Sequence, residues 1–139
     1  MSEVNKDVVR RYIKDLDTTH LPNPKFFTPD VKITFPGTPP MTLKQYQEAS
    51  KGFYGAFPDL IHHIEEMIAD GDIVAFSQHV TGTHKGTFMG VAATGNAINY
   101  SGINWWRLRD GKISEFSGSF DMLTLLKQIG GVKMLTQED

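Results

Sequence analysis

The sequence predicts an α+β fold in which two amphipathic helices lie on one face of a bent, mostly antiparallel sheet. Three observations predict it. Apolar residues recur at helical spacing in two segments before residue 58. From Leu60 onward the pattern changes to strand-like runs. Asp70-Gly71 and Asp110-Gly111 each separate two such runs, a short-range signal for a tight hairpin. With 139 residues the chain suits one domain, spanning 1–139, around a single core.

Each element follows from local pattern. Val4, Val8, Tyr12, Ile13 and Leu16 form the stripe of a first helix, with Ser2 or Asn5 available as its cap. Leu21 to Pro29 holds only a short helical turn, and Val31 to Phe35 reads as a strand ended by Pro36-Gly37. Thr42 opens a second helix, Gln45 completes its capping box, and Pro58 ends it. Its stripe is Leu43, Tyr46, Ala49, Phe53 and Phe57. Four antiparallel strands follow, at Leu60–Ala69, Ile73–His84, Ala97–Arg109 and Lys112–Phe120. Residues 85–96, with three glycines, form the longest flexible segment. Met122 to Ile129 closes the chain as a short helix stopped by Gly130-Gly131. A sheet curled around the first two helices would leave a pocket for a small molecule between them.

Composition narrows the function classes. The absence of cysteine excludes disulfides, thiolate zinc sites and cysteine nucleophiles. A net charge of -2 with scattered Lys and Arg makes no basic stripe, so nucleic acid is not an expected partner. No apolar run approaches the roughly 20 residues that cross a bilayer, so no membrane partner is expected either. MSEVNKDVVRRY lacks the apolar region of a signal peptide, and the expected location is the cytoplasm.

Four runs carry a family resemblance: AFPDLIHHIEEMIADGDIVAF, TGTHKGTFMGVAATG, SGINWWRLRDGKISEF and FDMLTLLKQIG. Together, in this order and spacing, the stretch from Asn5 to Gly130 resembles the SnoaL-like polyketide cyclases of the nuclear transport factor 2-like (NTF2-like) superfamily. The resemblance implies a cone-shaped fold, with the N-terminal helices on the concave face of a curved sheet, and a homodimer. It also implies an isomerase- or lyase-type activity, with no metal or organic cofactor. In that reading an Asp at the position of Asp121 is the acid/base of an intramolecular aldol ring closure. Family members often carry His and Trp after the Glu matching Glu115, where this chain has Phe116 and Ser117.

Asp121 has two readings on its residues alone. It can cap the last helix by accepting a first-turn N–H. Alternatively, Phe116, Phe120, Met122, Leu123 and Leu126 predict an apolar neighbourhood that would raise its pKa toward that of a general base. Such a base needs a group to hold the developing enolate oxygen. On Ala97–Arg109 the odd positions include Arg107 and Arg109, so the even face is predicted inward. That places Asn104 among aromatics as an oxyanion donor, or else as a buried amide bonded to a neighbouring strand.

The ligand expected is a small, largely apolar carbonyl compound. Its predicted walls are Tyr12, Phe53, Phe57, Trp106 and Phe116, with Asn104 among them, and Tyr100 is read as wall too. His62 stands where related sequences often have an apolar residue, so it either reaches the pocket as a second proton-transfer group or is a structural histidine. His20 and His84 are read as surface. His62 and His63 point to opposite faces, and no His-x-His or Glu-x-x-His occurs, so no metal site is expected. The glycines at 86, 90 and 95 match neither a P-loop nor a dinucleotide fingerprint. Gly118-Ser119 is no nucleophile elbow, and Glu65-Glu66, on opposite faces, no glycosidase pair. Phe88 and Met89 would cover the pocket mouth or pack on a second subunit. Beside the enzyme stand two other functions on this scaffold: a small-molecule-binding module without turnover, and a dimerisation scaffold whose own side chains fill the pocket.

Overall fold

The computed structural model describes residues 2–133 and 135. Helix α1 runs Ser2–Thr19 and a 3-10 turn follows at Pro24–Phe26. Then come β1 (Phe27–Thr34), α2 (Leu43–Ala56), β2 (Ile61–Asp70), β3 (Ile73–Thr83), β4 (Ala97–Arg109), β5 (Lys112–Phe120) and α3 (Met122–Gln128). The five strands form one sheet in the order β1-β5-β4-β3-β2. Every pairing is antiparallel except the edge pair β1–β5, which is parallel. This is the predicted α+β architecture.

Strict alternation sets the faces of the sheet. Along β4, Ile98, Tyr100, Asn104, Trp106 and Leu108 are buried on one face, while Ile103 and Trp105 are exposed on the other. The even face is therefore inward, as the arginines at 107 and 109 predict. Helix α1 covers part of it. Val8, Val9, Tyr12, Ile13 and Leu16 pack with Val74, Phe76, Trp106 and Phe116 in one apolar cluster. A second cluster joins Phe57, Leu60, Val80, Tyr100 and Leu125 under α2 and α3.

Several boundaries differ from the sequence reading. Asn5 lies inside α1, buried, with its amide toward the Gly71 carbonyl at 3.5 Å, so it is not the cap. Strand β1 begins at Phe27 and contains Pro29. It lies at the sheet edge, with its register to β5 broken between Phe27 and Lys32, so a missing N–H is tolerated. In the first hairpin Asp70 pairs with Ile73, which shifts the two-residue loop to Gly71-Asp72, with Gly71 at φ 60° as a type II′ turn requires. Asp110 and Gly111 form the predicted tight hairpin, both at positive φ as a type I′ turn requires.

Residues 85–96 are anchored rather than free. Lys85 and Gly86 donate their N–H groups to the Ala56 carbonyl at 2.9 and 3.1 Å. Phe88 packs edge-on against Phe53 and Phe57. His84, expected at the surface, is fully buried at the root of this segment. Its ring lies against Phe57, and its Nδ1 accepts the Thr94 N–H at 3.2 Å. His20 is half-buried, stacked on Tyr54 with ring centroids 4.8 Å apart.

Candidate functional site

Between α2 and the inward face of the sheet lies a cavity of about 340 Å³, within the usual range for a small-molecule site. Helix α2 supplies Tyr46, Phe53 and Tyr54 to its wall. They recur at i, i+7 and i+8 on a helix that the Thr42–Gln45 capping box starts. The sheet supplies Phe116, Phe120 and Tyr100, and the segment after β1 supplies Phe35 and Met41. Tyr100 and Phe116 are buried and the other walls half-buried, and an apolar lining of this kind strengthens the interactions of the polar groups set in it.

The polar groups on the sheet lie on a diagonal. His62 of β2 shares a row with Val80 and Tyr100. Gln78 of β3 lies in the next row beside Gly102, and Asn104 of β4 in the row after that, beside Gly118. Gly118 makes room for the Asn104 amide, and Gly102 lets the Ser119 carbonyl approach beside Gln78. A Cβ at 118 would stand 2.5 Å from Asn104 Oδ1, and one at 102 would stand 3.2 Å from the Ser119 carbonyl oxygen. Gln78 Oε1 and the Tyr54 hydroxyl are buried without a protein partner, so both are free for a ligand.

Burial controls the phenols. It pushes Tyr46 up from the ordinary 10.0 to about 12, and raises Tyr54 and Tyr100 as well. All three line the cavity and stay neutral hydroxyls, able to donate to a ligand oxygen.

His62 is held by the end of α1. Asp17 Oδ1 lies 2.6 Å from His62 Nδ1, and Asp17 Oδ2 accepts the His62 backbone N–H at 3.1 Å. Both side chains are largely buried, at 13% and 16% exposure. Asp121 has a different setting. It is exposed and does not line the cavity, although its neighbours Phe120 and Met122 do. Its Oδ1 accepts the Thr124 N–H at 3.0 Å, and its Oδ2 accepts the Thr124 hydroxyl at 2.6 Å. Those two bonds, the hydroxyl first, hold its carboxyl below the usual carboxylate range. The expected apolar neighbourhood and raised pKa are therefore corrected: Phe116 is buried and Phe120, Met122 and Leu126 are half-buried against the core, whereas Leu123 and the Asp121 carboxylate are exposed.

Of the predicted site residues, the structure brings Phe53, His62, Asn104 and Phe116 to one cavity. Tyr12, Phe57 and Trp106 are not among its lining residues. Each is fully buried one layer behind it: Tyr12 packs against Phe26, Phe27 and Trp106, Trp106 stacks on Phe116, and Phe57 packs against Phe53, Phe88 and His84. Sequence reasoning missed Asp17 and Gln78, and both left a signal. Val9, Ile13 and Asp17 recur every four residues, so a carboxylate ends a buried stripe. Val74, Phe76, Gln78 and Val80 alternate, so an amide sits on an inward face. Among the described residues no group of three or more His, Asp or Glu is placed to hold a metal ion. No helix among them is long and apolar enough to cross a membrane.

Comparison with known proteins agrees with this architecture. A family model described as SnoaL-like polyketide cyclase matches residues 6–129. AclR of Streptomyces galilaeus, proposed to be a hydroxylase, is 24% identical with a TM-score of 0.89, over 99% of this chain and 92% of that one. IdmH of Streptomyces antibioticus, proposed to be a polyketide cyclase, is 26% identical with a TM-score of 0.82, over 91% and 98%. A proposed SnoaL-like polyketide cyclase from Jannaschia sp. CCS1 is 21% identical with a TM-score of 0.84, over 96% of each chain. No functionally curated protein matches in sequence.

Proposed function

The chain belongs to the SnoaL-like polyketide cyclase family, and from that premise we propose that it is an acid/base enzyme acting on a small, largely apolar carbonyl compound without a cofactor. The reaction is a proton transfer next to the carbonyl, of the kind that opens an intramolecular aldol closure or an isomerisation. One observation carries this reading. An aromatic cavity of about 340 Å³ presents an imidazole, two amides and three neutral phenols to one small volume. Removing a proton beside a carbonyl puts charge on its oxygen, and dry, preorganised donors stabilise that charge far more than water does. Asn104 and the phenols of Tyr46, Tyr54 and Tyr100 are donors of this kind. Phe53 and Phe116 supply apolar contact for the carbon skeleton.

A second reading, a binding module without turnover, is favoured by one feature: the carboxylate at the family's acid/base position, Asp121, lies outside the cavity lining. The two separate on one probe, the apolar bicyclic ketone 2-tetralone. The enzyme reading expects the protein to bind it and to speed exchange of its α-hydrogens with D₂O, followed by mass spectrometry. Binding without accelerated exchange leaves the binding module, and no binding overturns both.

A further inference from the structure

We infer that the proton carrier of this cavity is His62, with Asp17 as its positioning residue, and that Asp121 is only a helix cap. This rests on the acid/base reading above and assigns the group that performs it. A carboxylate has no proton to give and can only accept. With Asp17 Oδ1 2.6 Å from Nδ1, the neutral ring therefore carries its hydrogen on Nδ1, and Nε2 keeps its lone pair. The second oxygen of Asp17 accepts the backbone N–H of the same residue, so one carboxylate fixes both the ring and the strand that carries it. His62 lines the cavity, in the row that ends at Tyr100.

This arrangement meets the needs of a base in an apolar pocket. Taking up a proton makes the ring a cation. The Asp17 carboxylate, 2.6 Å from Nδ1, stands opposite that charge as a charge-assisted hydrogen-bond partner. The step balances without any other reagent. The α C–H bond of the ketone breaks and its proton passes to Nε2. The electron pair moves into the carbonyl to give an enolate, whose oxygen accepts from the neutral phenols or the Asn104 amide. Return of a proton from Nε2 to the same carbon is exchange, and to a different carbon is isomerisation. Attack of the enolate carbon on a second carbonyl of the same molecule closes a ring, and Nε2 then gives its proton to the new alkoxide.

Asp121 does not meet the same needs. Both of its oxygens are engaged by Thr124 on its own helix, and it is exposed outside the cavity. Removing a carboxylate from such a position takes away a cap and leaves the pocket intact.

The test measures 2-tetralone exchange in D₂O alongside 2-tetralone affinity in four proteins. His62→Gln is expected to lower the exchange rate by roughly 100-fold or more, the usual contribution of a general base, with affinity held within about threefold. Asp17→Asn keeps the shape but can donate to Nδ1, which moves the ring hydrogen to Nε2 and removes the base. It is expected to lower exchange at least about tenfold, again with affinity unchanged, a split that a merely structural role would not give. Asp121→Asn is expected to exchange like the unmodified protein. Exchange retained in His62→Gln and lost in Asp121→Asn overturns the inference while leaving the acid/base reading in place. If His62→Gln does not fold, unchanged exchange in Asp17→Asn overturns it by itself. Absence of exchange in the unmodified protein removes the acid/base reading, and this assignment with it.

Discussion

Two carboxylates at opposite ends of the chain use the same chemistry to different ends. Asp121 and Asp17 each accept one backbone N–H and one side-chain hydrogen. At the β5–α3 junction both bonds return to Thr124, three residues on, and the result is local: a helix begins. At the end of α1 both bonds reach His62, 45 residues on, and the result joins a helix to a strand and turns an imidazole to the cavity. What an acid can do is set by where its partner's other face points, more than by its own burial or by its apolar neighbours in sequence.

The contrast can be broken by stability measurements. Asp17→Ala leaves a largely buried imidazole N–H and a strand N–H without their acceptor, and is expected to cost about 1–3 kcal/mol in urea unfolding. A cost no greater than that of Asp121→Ala would show that the two acids differ less than their geometry implies. Next in size, the cavity phenols give an alkaline signature. Burial favours their protonated form, so between pH 10 and about 12 the folded chain binds more protons than the unfolded one. Stability should therefore fall as pH rises through that window, with tyrosinate absorbance appearing together with unfolding. Ionisation near pH 10 in the folded protein would mean that water reaches the phenols.

The smallest effect belongs to Asp121. A depressed carboxyl contributes stability above the carboxylate range of the unfolded chain, and loses it as pH falls through the folded value. Asp121→Asn should leave neutral-pH stability almost unchanged, since Asn caps as well as Asp, while flattening the acid limb of the urea midpoint. A large loss at neutral pH would mean that the charge has a further partner.

Much of the fold was legible because it is written in short periods. The inward face of β4 follows from alternation and two arginines, and Asn104 was found through it. The capping box of α2 and the Asp110-Gly111 turn are equally local. Depth was not legible. Tyr12 and Phe53 both sit on apolar stripes, but a stripe reports which face is inward, not which layer. So Tyr12, Phe57 and Trp106 were expected at the wall and are found behind it. The pairing of Asp17 with His62 depends on how α1 crosses β2, which no local pattern encodes. A carboxylate at the end of the buried α1 stripe shows only that it needs a partner, not which one.

The parallel edge pair has a consequence for assembly. Strand β1 can be placed only against β5, and Phe27 meets Ile113 across more than eighty residues of chain. Hairpin β2–β3 can form early from local contacts, but β1, and the Phe35 and Met41 side of the cavity beyond it, must wait until the second hairpin exists. Non-local closure of this kind slows folding, because loop entropy is lost before the contact is gained. During synthesis the inward aromatics of β3 and β4 would stay uncovered on that side until β5 has left the ribosome. A chain stopped before residue 112 would thus expose an apolar sheet edge, making it a natural client for a chaperone.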